Sequence, residues 1–361
     1  MSKFWPKGGL PGILHHYAES LVTFEYTGST VRKPHSLLFV GGLGDGIATT
    51  SYMSSLVYAL QPTQWSLFTI NLSSSYQAWG LGHLDRDTTE IAQCIDYVNE
   101  YKQAKFGGGK IVLMGHSTGS QDVLHYLYRP NPHNSIPAFD KDLQHRKRPV
   151  IDGAIMQAPV SDREAIHWVL EKGFAGRSPS DCRAAYDKLI AIAQEAASQG
   201  RDCDTLLPLE TTSALCYPAT HPISARRFLS LVSPESPQAP QEDDLFSSDI
   251  SDEELDKTFG MIHQQALLRY KLLVLPSGSD QAVPDWVDKN AVLAKWRKAV
   301  DRNGLSQIWD AENSGPVPGA SHALSNDDQE GPRQYLVERV QNYLNGLERA
   351  LLPASTEANT S

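Results

Sequence analysis

The chain has 361 residues, 42 of them acidic and 32 basic, for a formal net charge of −10 at neutral pH. That balance argues against a protein that grips nucleic acid through phosphate contacts, and no apolar run reaches the ~18 residues of a membrane-spanning helix. Hydrophobic residues are 40% and charged residues 20%, enough for a sizeable core in one large domain or two modest ones. The opening stretch, Met1 to Gly9, lacks the apolar segment of a secretory signal. Four cysteines (Cys94, Cys182, Cys203 and Cys216) show no CxxC spacing. They argue against a disulfide framework or a zinc ribbon and point to a reducing, cytoplasmic setting. There the Asn-x-Ser/Thr sequences at Asn71 and Asn359 stay unglycosylated.

In chain order, Ile13–Ala18, Leu21–Tyr26 and Ser36–Val40 read as strands rich in β-branched and aromatic residues. A glycine turn, Gly41-Gly-Leu-Gly-Asp-Gly46, follows. A helix is expected from Ala48 to Leu60, capped by Thr49 or Thr50. Trp65–Asn71 reads as a strand, Asp87–Tyr101 as a helix, Lys110–Met114 as an apolar strand, Ser120–Tyr128 as a helix and Val150–Gln157 as a strand. Strands apolar on both faces, alternating with helices, predict a mostly parallel sheet covered on both sides, and the leading strands predict an antiparallel edge.

The rhythm breaks after residue 160. Ala184–Ser198 and Ser224–Leu231 read as helices, and Ser233–Asp244, rich in Pro, Ser and acids, as a mobile loop. Alternation resumes with the strand Tyr270–Leu275, a helix near Asp288–Val300, a strand near Ser306–Trp309 and a last helix from Arg333 to Leu351. The expected organisation is an α/β core over 1–160 and 266–352, an inserted helical cap over 161–265 and a disordered polar tail over 353–361. An insertion at the C-terminal end of a sheet strand overhangs the place where such sheets bind ligands.

One motif dominates: Gly115-His-Ser117-Thr-Gly119, between an apolar strand and a helix. That is the setting of a nucleophile elbow, a turn so tight that Gly115 and Gly119 must be small. A serine hydroxyl needs a base, and the base needs an orienting acid. In this architecture the chain order is serine, acid, histidine. Asp280, in the small-residue loop after Leu272–Leu275, is the expected acid, with Asp310 its competitor. His322, among 12 histidines, is the one that follows Asp280. It lies before the last helix, where the base belongs. Thr118 supplies one oxyanion-hole amide. The glycine loop supplies the other, from Leu43 or the neighbouring Gly42, because glycines let the backbone approach a substrate closely.

The same glycines, spaced GGxGxG, do not match a GxGxxG dinucleotide cradle. Gly107-Gly-Gly-Lys110 precedes a strand, whereas a phosphate loop follows one, and reads as a flexible connection. His15 and His16 share a strand and point to opposite faces, and His133 and His145 sit in polar loops. We expect structural roles for these histidines and no metal site.

With Ser117, Asp280 and His322 in place, the chain resembles an α/β-hydrolase over nearly its whole length, and Phe39–Gly46, Met114–Asp122 and Pro276–Pro284 carry a closer likeness. More narrowly, they resemble a fungal and plant family whose best-defined fungal branch comprises the fusarinine C esterases of siderophore breakdown. The resemblance implies hydrolysis of ornithine esters in fusarinine C or its acetylated form, inside the cell, with release of iron. It implies Ser117 as nucleophile, His322 as base, Asp280 as its orienting acid, and Leu43 and Thr118 amides as the oxyanion hole. Such chemistry needs no bound cofactor, and iron comes only with the substrate. Trp168, Arg177 and Tyr186 are candidate substrate contacts within the insertion. A general carboxylesterase, lipase or acyltransferase, or a non-catalytic binding protein on the same fold, are the alternatives, since fold alone does not choose among them.

Overall fold

The computed structural model describes residues 5–134 and 136–351. Seven strands form one sheet: β1 (Gly12–His16), β2 (Val22–Tyr26), β3 (His35–Val40), β4 (Trp65–Ile70), β5 (Ile111–His116), β6 (Gly153–Gln157) and β7 (Leu272–Leu275). Their order is β1-β2-β4-β3-β5-β6-β7. The pairs β1/β2 and β2/β4 are antiparallel, and the rest are parallel. The antiparallel edge and parallel centre agree with the alternation of the sequence. The strand expected at Ser306–Trp309 reduces to a single bridge between Trp309 and Leu272. The chain there turns away, because Asp310 accepts hydrogen bonds from the amides of Glu312 and Asn313.

The longer helices are α1 (Met53–Leu60), α2 (Leu84–Phe106), α3 (Thr118–Tyr128), α4 (Asp162–Lys172), α5 (Pro179–Ser198), α6 (Ala225–Val232), α7 (Lys289–Val300) and α8 (Glu330–Ala350). One face of the sheet packs on α2, α3 and α7 through Leu38, Leu113, Val123, Leu127 and Trp296. The other packs on α1 and α8 through Leu37, Val112, Leu56, Val340 and Leu344. In α8 the buried Leu336, Val340, Tyr343, Leu344 and Leu347 recur at helical spacing, which is why that stretch coils and lies on the sheet.

Several boundaries move for visible reasons. Helix α1 starts later than expected, and Thr49 and Thr50 do not cap it, because both hydroxyls donate to Asp45. Gly107 is the left-handed C-cap of α2 (φ 79°), its amide bonded to the carbonyls of Lys102 and Gln103. The glycine stretch that reads as flexible is thus a helix stop. Of the adjacent histidines on β1, His15 is buried and His16 exposed.

Residues 161–265 carry no strand, and α4 to α6 pack their own cluster around Ile166, Leu170, Leu189, Phe228 and Leu231. Helix α4, capped by Ser161, is absent from the sequence reading. The Ser233–Asp244 stretch is tied down rather than mobile. Asp243 is buried against Arg227 at 2.9 Å, the Ser236 hydroxyl bonds Asp244, and the Gln241 amide donates to Ser233. Asp243 and Asp244 are taken up by the buried Arg227 and Arg163, a pairing that local composition does not reveal. The tail over 353–361, with Asn359, lies outside the described residues.

Candidate active site

The parallel register sets Val40, Gly115 and Met156 side by side. The C-terminal ends of β3, β5, β6 and β7 therefore deliver the glycine loop, Ser117, Gln157 and the Asp280 loop to one edge of the sheet. Ser117 sits at φ 54°, ψ −119°, a strained conformation held by its surroundings. A Cβ on Gly115 would lie 1.9 Å from the Gly119 carbonyl oxygen, and one on Gly119 would lie 2.4 Å from that of Val40. Neither position admits a side chain, which is the physical content of the GxSxG spacing.

The structure brings together the three separated residues. His322 Nε2 lies 2.9 Å from Ser117 Oγ, and His322 Nδ1 lies 2.8 Å from Asp280 Oδ2. Asp280 is buried, and its Oδ1 accepts the Ala282 amide at 2.8 Å. Its competitor Asp310 is occupied elsewhere, in its turn with Asn313. Burial pushes the His322 pKa down, but the hydrogen bond and charge of Asp280, with Asp162 and Asp45 behind it, outweigh that, so the net shift is upward. A base raised in this way holds a proton taken from serine more readily.

The glycine loop closes as a turn, with the Asp45 amide bonded to the Gly42 carbonyl at 3.0 Å and Gly44 at φ 80°. These are the features of a type II turn. A Cβ on Gly42 would come 2.8 Å from Ser117 Cβ, so the loop lies directly on Ser117. The Gly42 amide already donates to Asp45 Oδ2 at 3.1 Å, which favours Leu43 over Gly42 as a free donor. Thr118 is the first residue of α3, where an amide has no acceptor within the helix.

Sequence reasoning missed Gln157, which is fully buried at the end of β6. Its carbonyl accepts the Ser117 amide at 2.9 Å. Its Oε1 accepts from His116 Nδ1 at 2.5 Å and from the Tyr52 hydroxyl at 2.9 Å. Its Nε2 donates to Ser277 Oγ at 3.2 Å, and that hydroxyl donates to the His322 carbonyl at 3.2 Å. One side chain thus ties the elbow to the histidine loop. A polar residue closing an apolar strand beside the elbow was the available signal. Burial, and next the neighbouring His322, push His116 down to about 4. His116 therefore stays neutral beside His322, with ring centroids 5.1 Å apart.

Of the insertion candidates, Trp168 lines a groove described below. Arg177 is exposed, and Tyr186 packs against the cluster of α4 to α6, near Phe228. His133 is buried rather than in an open loop, within ligand reach of Asp85 and His125. Ligating imidazoles usually donate their second N–H to an acceptor. Here Arg148 Nη1 sits 2.9 Å from His133 Nε2, and His125 Nδ1 is unpartnered. The donor set suits a hydrogen-bonded cluster around Asp85, with the Arg129 guanidinium 3.7 Å away, better than a cation site.

Comparison with known proteins gives the family and the fold. The family described as "Protein of unknown function (DUF1749)" matches residues 2–345. Fusarinine C esterase sidJ of Aspergillus fumigatus is 67% identical over 97% of this chain and 99% of its own. The structure of siderophore hydrolase EstB from Aspergillus fumigatus superposes with a TM-score of 0.86 and 65% identity, covering 95% of this chain and 99% of the other. An α/β-hydrolase fold protein of unknown function matches with a TM-score of 0.55 at 14% identity, over 94% and 97% of the two chains, a likeness of fold alone. The chain belongs to the DUF1749 family, and its fold is that of the α/β-hydrolases.

Proposed function

We propose that the protein is a cytoplasmic serine esterase that hydrolyses the ester bonds of a hydroxamate siderophore, fusarinine C or its triacetyl form, and so frees the iron the siderophore carries. The carrying observation is the unbroken chain Ser117–His322–Asp280 at 2.9 and 2.8 Å. It stands in a protein 67% identical to a fusarinine C esterase over nearly its whole length.

The geometry supports a two-step mechanism. Ser117 Oγ attacks the ester carbonyl carbon as His322 Nε2 takes its proton. Asp280 keeps the imidazole in the tautomer with Nδ1–H and stabilises the imidazolium. The Leu43 and Thr118 amides receive the oxyanion, with the N-terminus of α3 adding positive potential. Collapse breaks the ester C–O bond, and His322 gives its proton to the leaving alcohol. A water, deprotonated by His322, then attacks the acyl-serine; the acyl C–Oγ bond breaks, His322 returns the proton to Ser117 Oγ, and the acid leaves. Gly42, Gly115 and Gly119 keep the backbone close enough for this arrangement.

Mass spectrometry of the purified protein with ferric fusarinine C and its triacetyl form, beside Ser117→Ala, tests the proposal. The expected result is stepwise addition of water to the cyclic ester, absent in the variant. Turnover of simple esters with both siderophores left intact would discard the substrate. No labelling of Ser117 by a fluorophosphonate would discard the mechanism.

A further inference from the structure

A groove of about 300 Å³ opens beside the triad, lined by Ala165, Trp168, Val169, Phe174, Cys216 and Ala282, with Gln281 and Lys172 at its polar margins. Two lining residues are bonded to the catalytic pair itself. The Gln281 side-chain oxygen accepts the His322 amide at 2.9 Å, and the Ala282 amide donates to Asp280 Oδ1 at 2.8 Å. The opposite wall is α4. Its first residue, Asp162, is close enough to raise the His322 pKa, and Trp168, Val169 and Lys172 follow along the same helix. The groove therefore lies against the two residues that hold His322 and Asp280, and runs along α4. The glycine loop, whose Gly42 lies against Ser117, contributes nothing to its wall.

That position assigns its occupant. In ester hydrolysis the leaving alcohol must sit next to the base, because it takes the proton that the base carries. The acyl carbonyl points instead to the oxyanion amides. We infer that this groove is the alcohol-side subsite, and that it takes an apolar alcohol arm of the substrate, with Trp168 as the residue that sets the preference. The inference rests on the esterase reading of Ser117, Asp280 and His322. The lining fits an uncharged occupant: an indole, a phenyl ring and aliphatic side chains, with the one cation, Lys172, exposed. Cys216, which is exposed, adds a small, weakly polar side chain to the lining. Its volume is at the low end of the ~300–1,000 Å³ of small-molecule sites, which suits one arm of a branched substrate.

Two series of esters test this on the full chain. One keeps the acetyl group and lengthens the alcohol from ethyl to hexyl. The other keeps the ethyl alcohol and lengthens the acyl chain. Wild type is expected to gain roughly fourfold in kcat/KM per added methylene in the alcohol series, until the groove is full. Trp168→Ala is expected to cut the hexyl-to-ethyl preference by about tenfold or more, and Trp168→Phe to restore most of it. Ala282→Leu, which narrows the groove from the opposite wall, should reverse the preference for long alcohols even if Trp168→Ala folds poorly. The ratio for the acyl series should stay the same in all three variants. An alcohol-chain preference unmoved by both Trp168→Ala and Ala282→Leu, or a change confined to the acyl series, would overturn the assignment. Failure to cleave any ester, with Ser117 unlabelled, would instead reject the esterase reading.

Discussion

Gln157→Met removes a buried amide while keeping the length of the side chain. Three side-chain hydrogen bonds disappear: those with His116, Tyr52 and Ser277. Ser277 can still donate to the His322 carbonyl, but the Tyr52 hydroxyl and His116 Nδ1–H, both buried, lose their shared acceptor. An unsatisfied buried donor costs ~1–3 kcal/mol, so the variant should lose about 2–6 kcal/mol of stability. The Ser117 amide keeps its bond to the Gln157 carbonyl, so the elbow holds while the histidine loop loosens. A displacement of about 1 Å in a catalytic group can cost ~10²-fold. We therefore expect kcat on a chromogenic ester to fall by ~10–10²-fold, with little change in KM. Urea unfolding followed by tryptophan fluorescence gives the stability. Adding Tyr52→Phe removes one orphaned donor, so the double variant should recover ~1–3 kcal/mol relative to Gln157→Met. Stability within about 0.5 kcal/mol of wild type for Gln157→Met, or no recovery in the double variant, would refute the reasoning.

Ser117→Ala should abolish ester hydrolysis and fluorophosphonate labelling, with kcat down by roughly 10⁶-fold and unfolding little changed, since the hydroxyl is bonded to His322. His322 acts as base only when neutral, and its pKa is shifted upward. The acid limb of the kcat/KM profile should therefore lie above ~6.5, the ordinary histidine value. Asp280→Asn should move that limb to lower pH and reduce kcat by ~10⁴-fold, and a limb that stays in place would contradict the pairing. Gly42→Ala sets a methyl group 2.8 Å from Ser117 Cβ. A drop in kcat of about 10²-fold is expected, with circular dichroism unchanged, and full activity would show that the loop can retreat. Arg227→Met should cost ~3–5 kcal/mol, because Asp243, Asp87 and Asp122 face that buried guanidinium. The loss should be larger at pH 8 than at pH 5. Burial, and next Glu90, already raise Asp87 to about 7, so its protonation at low pH relieves the unpaired charge. Equal losses at both pH values, in parallel urea titrations, would remove Asp87 from the explanation.

Whatever depends on local spacing was legible in the order of residues. Apolar strands alternating with helices set the parallel sheet, and glycines two places either side of Ser117 marked a turn that admits no Cβ. The order serine, acid, histidine selected Asp280 and His322 before any distance was known. Tertiary structure decided what depends on partners distant in the chain. Thr49 and Thr50 read as helix caps until Asp45 takes their hydroxyls. The acidic Ser233–Asp244 stretch reads as mobile until Arg227 fills the space beside Asp243. Gln157 reads as the end of a strand until the sheet register sets it between His116, Tyr52 and Ser277. A residue's own type and neighbours limit the backbone conformations it can take, but the hydrogen bond or ion pair that satisfies a buried polar group is chosen only when the chain closes around it.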